Sequence, residues 1–92
     1  MNIQAKELAW SLAGHDKGKL YVVIAQEEDG VWLADGKIRT LERPKRKKRK
    51  HVQMIRHLPS GLKAQMEQIG TDADLRRILT YYNKQTIDQQ EE

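Results

Sequence analysis

Gly14-His15-Asp16-Lys17-Gly18-Lys19-Leu20-Tyr21-Val22-Val23-Ile24-Ala25 joins a turn to a run of strand formers. Two glycines flank an Asp in its first half. Glycine takes a positive φ without strain, so residues 14–18 read as a tight turn. The second half is rich in Val, Ile and Tyr, which suits a buried central strand over 20–25. Upstream, Leu8 to Leu12 alternates large and small side chains at period two, the pattern of a half-buried strand. Downstream, Glu28-Asp29-Gly30 is a hairpin signal, and Val31 to Ala34 reads as a third strand closed by Asp35-Gly36. Ile38 to Leu41 fits a short fourth strand, Glu42 to Lys50 a charged loop, and Val52 to Ile55 a fifth strand. Five short strands joined by tight turns imply a mainly β chain curled into a small closed or nearly closed barrel. Its expected core is Leu8, Leu12, Val22, Ile24, Val31, Leu33, Ile38 and Val52, with Trp10 or Trp32.

The character changes at Pro59-Ser60-Gly61. Leu62, Met66 and Ile69 share one face of a short helix, which Gly70 can end. Thr71 then has the place of an N-cap, with Asp74 at the third helical position in a variant of the capping box. Leu75, Ile78, Leu79 and Tyr82 follow at helical spacing, so a second helix is expected over about Asp72 to Lys84, with a polar frayed end from Gln85 to Glu92. The expected organisation is a barrel over residues 1–58 and a helical extension over 59–92.

With 92 residues there is room for one small core. The absence of cysteine excludes disulfides and thiolate zinc sites. No apolar run approaches the roughly 20 residues that cross a bilayer. Met1 to Leu8 is polar and mixed in charge, so neither a signal peptide nor a membrane span is read, and a cytoplasmic location is expected. Residues 1–58 carry 13 Lys/Arg against 7 Asp/Glu, whereas residues 59–92 carry 4 against 6. The basic body points to a polyanionic partner for the first part.

Three spaced elements resemble one family. Gly14-His15-Asp16-Lys17-Gly18-Lys19 with Tyr21-Val22-Val23-Ile24 looks like the KOW motif. Ala34-Asp35-Gly36-Lys37-Ile38-Arg39 and Pro44-Lys45-Arg46-Lys47-Lys48-Arg49-Lys50-His51 resemble the KOW-domain RNA-binding proteins of Gram-positive bacteria. That group is similar to the archaeal and eukaryotic large-subunit ribosomal protein "fourteen-e" family. The match covers about residues 6–58, with Lys6 where a leading Gly is usual and His15 where Arg is commoner. The resemblance implies an SH3-like barrel, binding to structured RNA such as ribosomal RNA, and no catalysis.

Arg43 to Lys50 places seven cations in eight residues: Arg43, Lys45, Arg46, Lys47, Lys48, Arg49 and Lys50. Such density neutralises phosphates and releases counterions with little base specificity, although like-charge runs are also common in solvated loops. Pinned between two strands, the run is expected to act as a tethered loop that grips an RNA backbone, with His51 at its end. His15, Lys17 and Lys19 on the turn are further candidates, as is Arg39, whose guanidinium can hold a phosphate bidentately. Gly14 and Gly18 would let backbone approach a phosphate, and Asp16 would shape the turn. Few aromatics argue against a stacking platform. His15, His51 and His57 lack metal-ligand spacing, and no nucleophile, base and orienter set or phosphate loop is present, so no metal, no cofactor and no enzyme are expected. Two other functions fit the same composition. One is a protein-interaction module of the transcription or translation machinery, using the helix face Leu75, Ile78, Leu79 and Tyr82. The other is a nonspecific nucleic-acid-binding protein. Packing of that face on the barrel is the plainer expectation.

Overall fold

The computed structural model describes residues 7–90, with side chains described as far as residue 85. Lys6 therefore lies outside the described residues, as do Glu91 and Glu92 of the expected frayed end. The elements are β1 (Glu7–Ser11), β2 (Leu20–Gln26), β3 (Gly30–Ala34), β4 (Lys45–Lys48), a 3-10 turn (Arg49–His51), β5 (Val52–Ile55), α1 (Ser60–Met66) and α2 (Asp72–Gln90). The strands form one antiparallel sheet in the order β4-β3-β2-β1-β5. A flat sheet of five strands would hold its edges about 19 Å apart. Here the two edge strands are joined through the short 3-10 turn, and four Cα steps reach at most about 14 Å. The sheet must therefore curl into a half-barrel, and the ladder stays open between β4 and β5.

Burial explains why β2 is apolar throughout. Leu20, Val22 and Ile24 face one cluster, with Leu8, Ala34, Leu58 of the segment before α1, and the helix residues Leu62, Met66, Leu75, Ile78 and Leu79. Tyr21 and Val23 face the other, with Ala9, Val31, Leu33 and Val52. One face of the sheet thus closes on itself and the other is covered by the helices. Burying Leu75 and Ile78 completely contributes about 1.5–3 kcal/mol each. The N-terminus of α2 is capped as the sequence implies: Asp74 N–H donates to Thr71 Oγ1, and Asp74 Oδ2 accepts from the backbone N–H groups of Gly70 and Thr71. The helix runs past Lys84 to Gln90, longer than expected.

Three expectations are corrected. Residues 38–41 form no strand. Asp35 accepts from the N–H groups of Lys37 and Arg39, while the N–H groups of Asp35 and Gly36 donate to Arg39 O. These local bonds occupy groups a ladder would need. Ile38 sits at the loop tip, 78% exposed, and is not core. The place beside β3 is taken by Lys45–Lys48, with Val31 opposite Lys47 and Trp32 opposite Arg46. The basic run is therefore a strand and a 3-10 turn, not a loop. Lastly, Leu12 is 45% exposed, because the chain leaves the ladder at Ser11 and Leu12 N–H donates to His51 O.

Candidate nucleic-acid interface

A strand sends successive side chains to opposite faces, and this rule divides the basic run. Lys45 and Lys47 point to the barrel side, opposite Leu33 and Val31. Both reach Asp16 on the 14–18 turn. Lys47 Nζ lies 2.6 Å from Asp16 Oδ1, 2.6 Å from Ser11 Oγ and 2.7 Å from Ala13 O, so its three protons are all donated. Lys45 Nζ is 3.2 Å from Asp16 Oδ2, which also accepts from the Tyr21 hydroxyl at 2.8 Å. Ser11 Oγ donates to Asp16 Oδ1 at 2.8 Å. Burial alone would raise the Asp16 pKa. Hydrogen bonds from Lys47, Ser11, Tyr21 and Lys45 outweigh it and hold the carboxylate far below its ordinary range. Burial, with the Asp16 charge beside it, pushes the Tyr21 hydroxyl up.

Arg46 and Lys48 point the other way. The Arg46 guanidinium lies over Gly30 and pairs with Glu27 at 3.1 Å and Asp29 at 2.9 Å. Glu27 also accepts from Trp32 Nε1, and with Arg46 this lowers its pKa. Arg49 is held by the carbonyls of Glu27 and Glu28 and by Gln26 Oε1. Of the seven cations, Arg43, Lys48 and Lys50 make no side-chain hydrogen bond or ion pair among the described residues. Arg43, Lys48 and Lys50 are exposed.

The 14–18 turn packs against the barrel side of β4, through Lys45 and Lys47. Gly14 and Gly18 have φ of 86° and 87°, as a tight turn between β1 and β2 requires. Gly18 N–H donates to Ser11 O, and Lys19 N–H to Asp16 O. His15 and Lys17 project into solvent. Asp16 does more than shape the turn, since its carboxylate ties the turn to β4. The structure thus brings residues 14–18 and the basic run together. Lys19 is turned elsewhere, 2.6 Å from Asp35 and over the Tyr21 ring at 5.3 Å. Arg39 and His51 are half-buried. Burial pushes the Asp35 pKa up, but Lys19 and the backbone N–H groups of Lys37 and Arg39 bring it below its ordinary value.

The helix stripe is used within the chain. Leu75, Ile78 and Leu79 are buried against the sheet, and the Tyr82 ring lies 6.5 Å from that of Trp10. Among the described residues, no cluster of three or more His, Asp or Glu side chains could hold a metal ion. No helix among them is long and apolar enough to cross a membrane. Sequence reasoning missed Ser11 and Tyr21 as partners of Asp16. It also missed Asp35 as partner of Lys19, and Arg76, which donates to Gly36 O. The period-two spacing of Lys45 and Lys47 was the available signal for the first set. Comparison with known protein families matches none to this chain, and comparison with curated proteins finds no match either.

Proposed function

We propose that this protein is a KOW-type SH3-like domain of the cytoplasm that binds structured RNA, such as ribosomal RNA, by its phosphate backbone, and acts by binding rather than catalysis. The observation that carries the reading is the division of the basic run. Four of its cations are neutralised or anchored inside the chain, and three are left exposed: Lys48 on β4, Lys50 on the 3-10 turn that follows and Arg43 just before the strand, with β4 itself fixed to the His15–Lys17 turn through Asp16. Cations held on a strand and a short turn lose little freedom on binding, so they favour a rigid, shape-bearing polyanion. With few aromatics nearby, this face supports contact with phosphates rather than base readout.

The test is binding of a structured ribosomal RNA fragment, measured against duplex DNA of equal length at the same salt. About four phosphate contacts, from Lys17, Arg43, Lys48 and Lys50, should give a log–log salt slope of about −3 to −3.5. Preference for the RNA with that slope is the expected result. Equal affinity for the duplex would favour a nonspecific nucleic-acid-binding protein, and no binding to either at low salt would overturn the reading.

A further inference from the structure

Lys19, Lys37 and Arg76 come from three separate segments and border one open cleft of about 300 Å³. It lies between the end of the 14–18 turn, the loop after β3 and the solvent side of α2, away from Arg43, Lys48 and Lys50. The volume is at the lower end of the ~300–1,000 Å³ usual for small-ligand sites. The half-buried Trp10 and the buried Leu79 give it an apolar wall, and Thr80 and Asn83 add uncharged hydrogen-bonding groups at the exposed rim.

The charge of the cleft is positive. Asp35 at its floor is 4% exposed and already satisfied by Lys19 and two backbone N–H groups. That leaves Lys37 and Arg76. The Lys37 ammonium has no hydrogen bond or ion pair among the described residues. Arg76 spends Nη1 on Gly36 O, which fixes the guanidinium at the cleft while its other N–H groups stay available. Cations beside an indole wall, with an amide at the rim, suit a planar base that carries a phosphate. A second, shallower depression shares Arg76 and Thr80 with the cleft and adds Arg77, Tyr81 and Lys84. Arg77 is tied to Asp74, whereas Lys84 is exposed. Two adjoining cation-bordered hollows along one helix fit successive units of a strand better than one isolated anion.

We propose that this cleft seats one unpaired nucleotide of the bound RNA, with its phosphate on Lys37 and Arg76 and its base against Trp10. This deepens the RNA-binding reading and rests on it. The cleft would give a domain that otherwise grips backbone a local means of sensing an unstacked base.

The test uses the full chain with Trp32→Phe, which leaves Trp10 as the single tryptophan. Hexaadenylate is titrated while Trp10 emission and ligand anisotropy are followed. Expected results are quenching of Trp10 and about tenfold weaker binding in Lys37→Gln, the usual effect of losing a charge-assisted hydrogen bond. Inorganic polyphosphate should compete without quenching Trp10. Lys37 is exposed, so that variant should fold; Asn83→Ala, also exposed, should weaken hexaadenylate but not polyphosphate. Binding of hexaadenylate without quenching, or with unchanged affinity in Lys37→Gln, overturns the cleft. If structured RNA still binds and depends on Lys48 and Lys50, the backbone-gripping face stands alone. If neither RNA binds at low salt, both readings fall.

Discussion

Lys47 Nζ lies 2.6 Å from Asp16 Oδ1, with side chains only 8% and 12% exposed. The most basic segment of the chain therefore holds a buried ion pair that fastens a turn to a strand. Removing one partner of such a pair leaves an uncompensated charge and costs about 3–5 kcal/mol. Asp16→Ala strands both Lys45 and Lys47, so urea denaturation should show a loss of that order. Lys48→Gln, on the opposite face of β4, should stay within about 0.5 kcal/mol. Equal effects of the two would mean that Asp16 does not hold the strand.

The same carboxylate makes stability depend on acid. Its folded pKa lies far below the 3.8 of an unperturbed Asp. A depressed carboxylate stabilises the fold fully above its unfolded pKa and loses that contribution as pH falls toward its folded value. The chain should therefore lose Asp16's contribution progressively below about pH 4. Asp16→Asn should be less stable than the parent at pH 6, and the gap should narrow as pH drops from 4 toward 2. A gap that stays constant would show that the Asp16 charge is not what stabilises the fold.

How much of this was legible in the sequence follows from which interactions are local. The turn 14–18, the strand 20–25 and the Thr71–Asp74 cap are set by residues a few positions apart, and they stand where the pattern placed them. The fourth strand was not legible. Lys-Arg-Lys-Lys has poor strand propensity, and only partners 17 to 31 residues away make it one: Asp16 inside, Glu27 and Asp29 outside. Ile38 misled for the converse reason. Its apolar character suggested a strand, but Asp35 captures the surrounding backbone and turns it into a loop. The candidate cations could be found by composition, yet which of them are exposed depends on the strand's facing.

That loop is also a docking element for α2. Gly36 has φ of 80°, Leu41 N–H donates to Asp72 Oδ1 at 2.8 Å, and a Cβ on Gly36 would collide with Asp72 O. Gly36→Ala should lose at least about 1–2 kcal/mol from the backbone conformation alone. The collision should add to this by pushing the start of α2 off the loop. Thermal unfolding should show a lower midpoint, and near-ultraviolet circular dichroism should report a disturbed Trp10–Tyr82 contact. Retention of both would mean that the loop and helix yield without cost.

The facing of β4 also decides how RNA binding must be probed. Replacing the whole run would unpair Asp16 and confuse lost binding with lost folding. The informative variant combines Arg43→Gln, Lys48→Gln and Lys50→Gln, none of which breaks a side-chain bond among the described residues. Each phosphate contact carries a salt slope of about 0.7–0.9, so the triple variant should flatten the log–log slope by about 2–2.7. Its urea midpoint should match that of the parent. Lys63→Gln, an exposed cation on α1, serves as the control and should leave the slope unchanged. An unaltered slope in the triple variant would move the RNA contact off this face, whereas an equal loss in the Lys63 variant would reduce the effect to net charge.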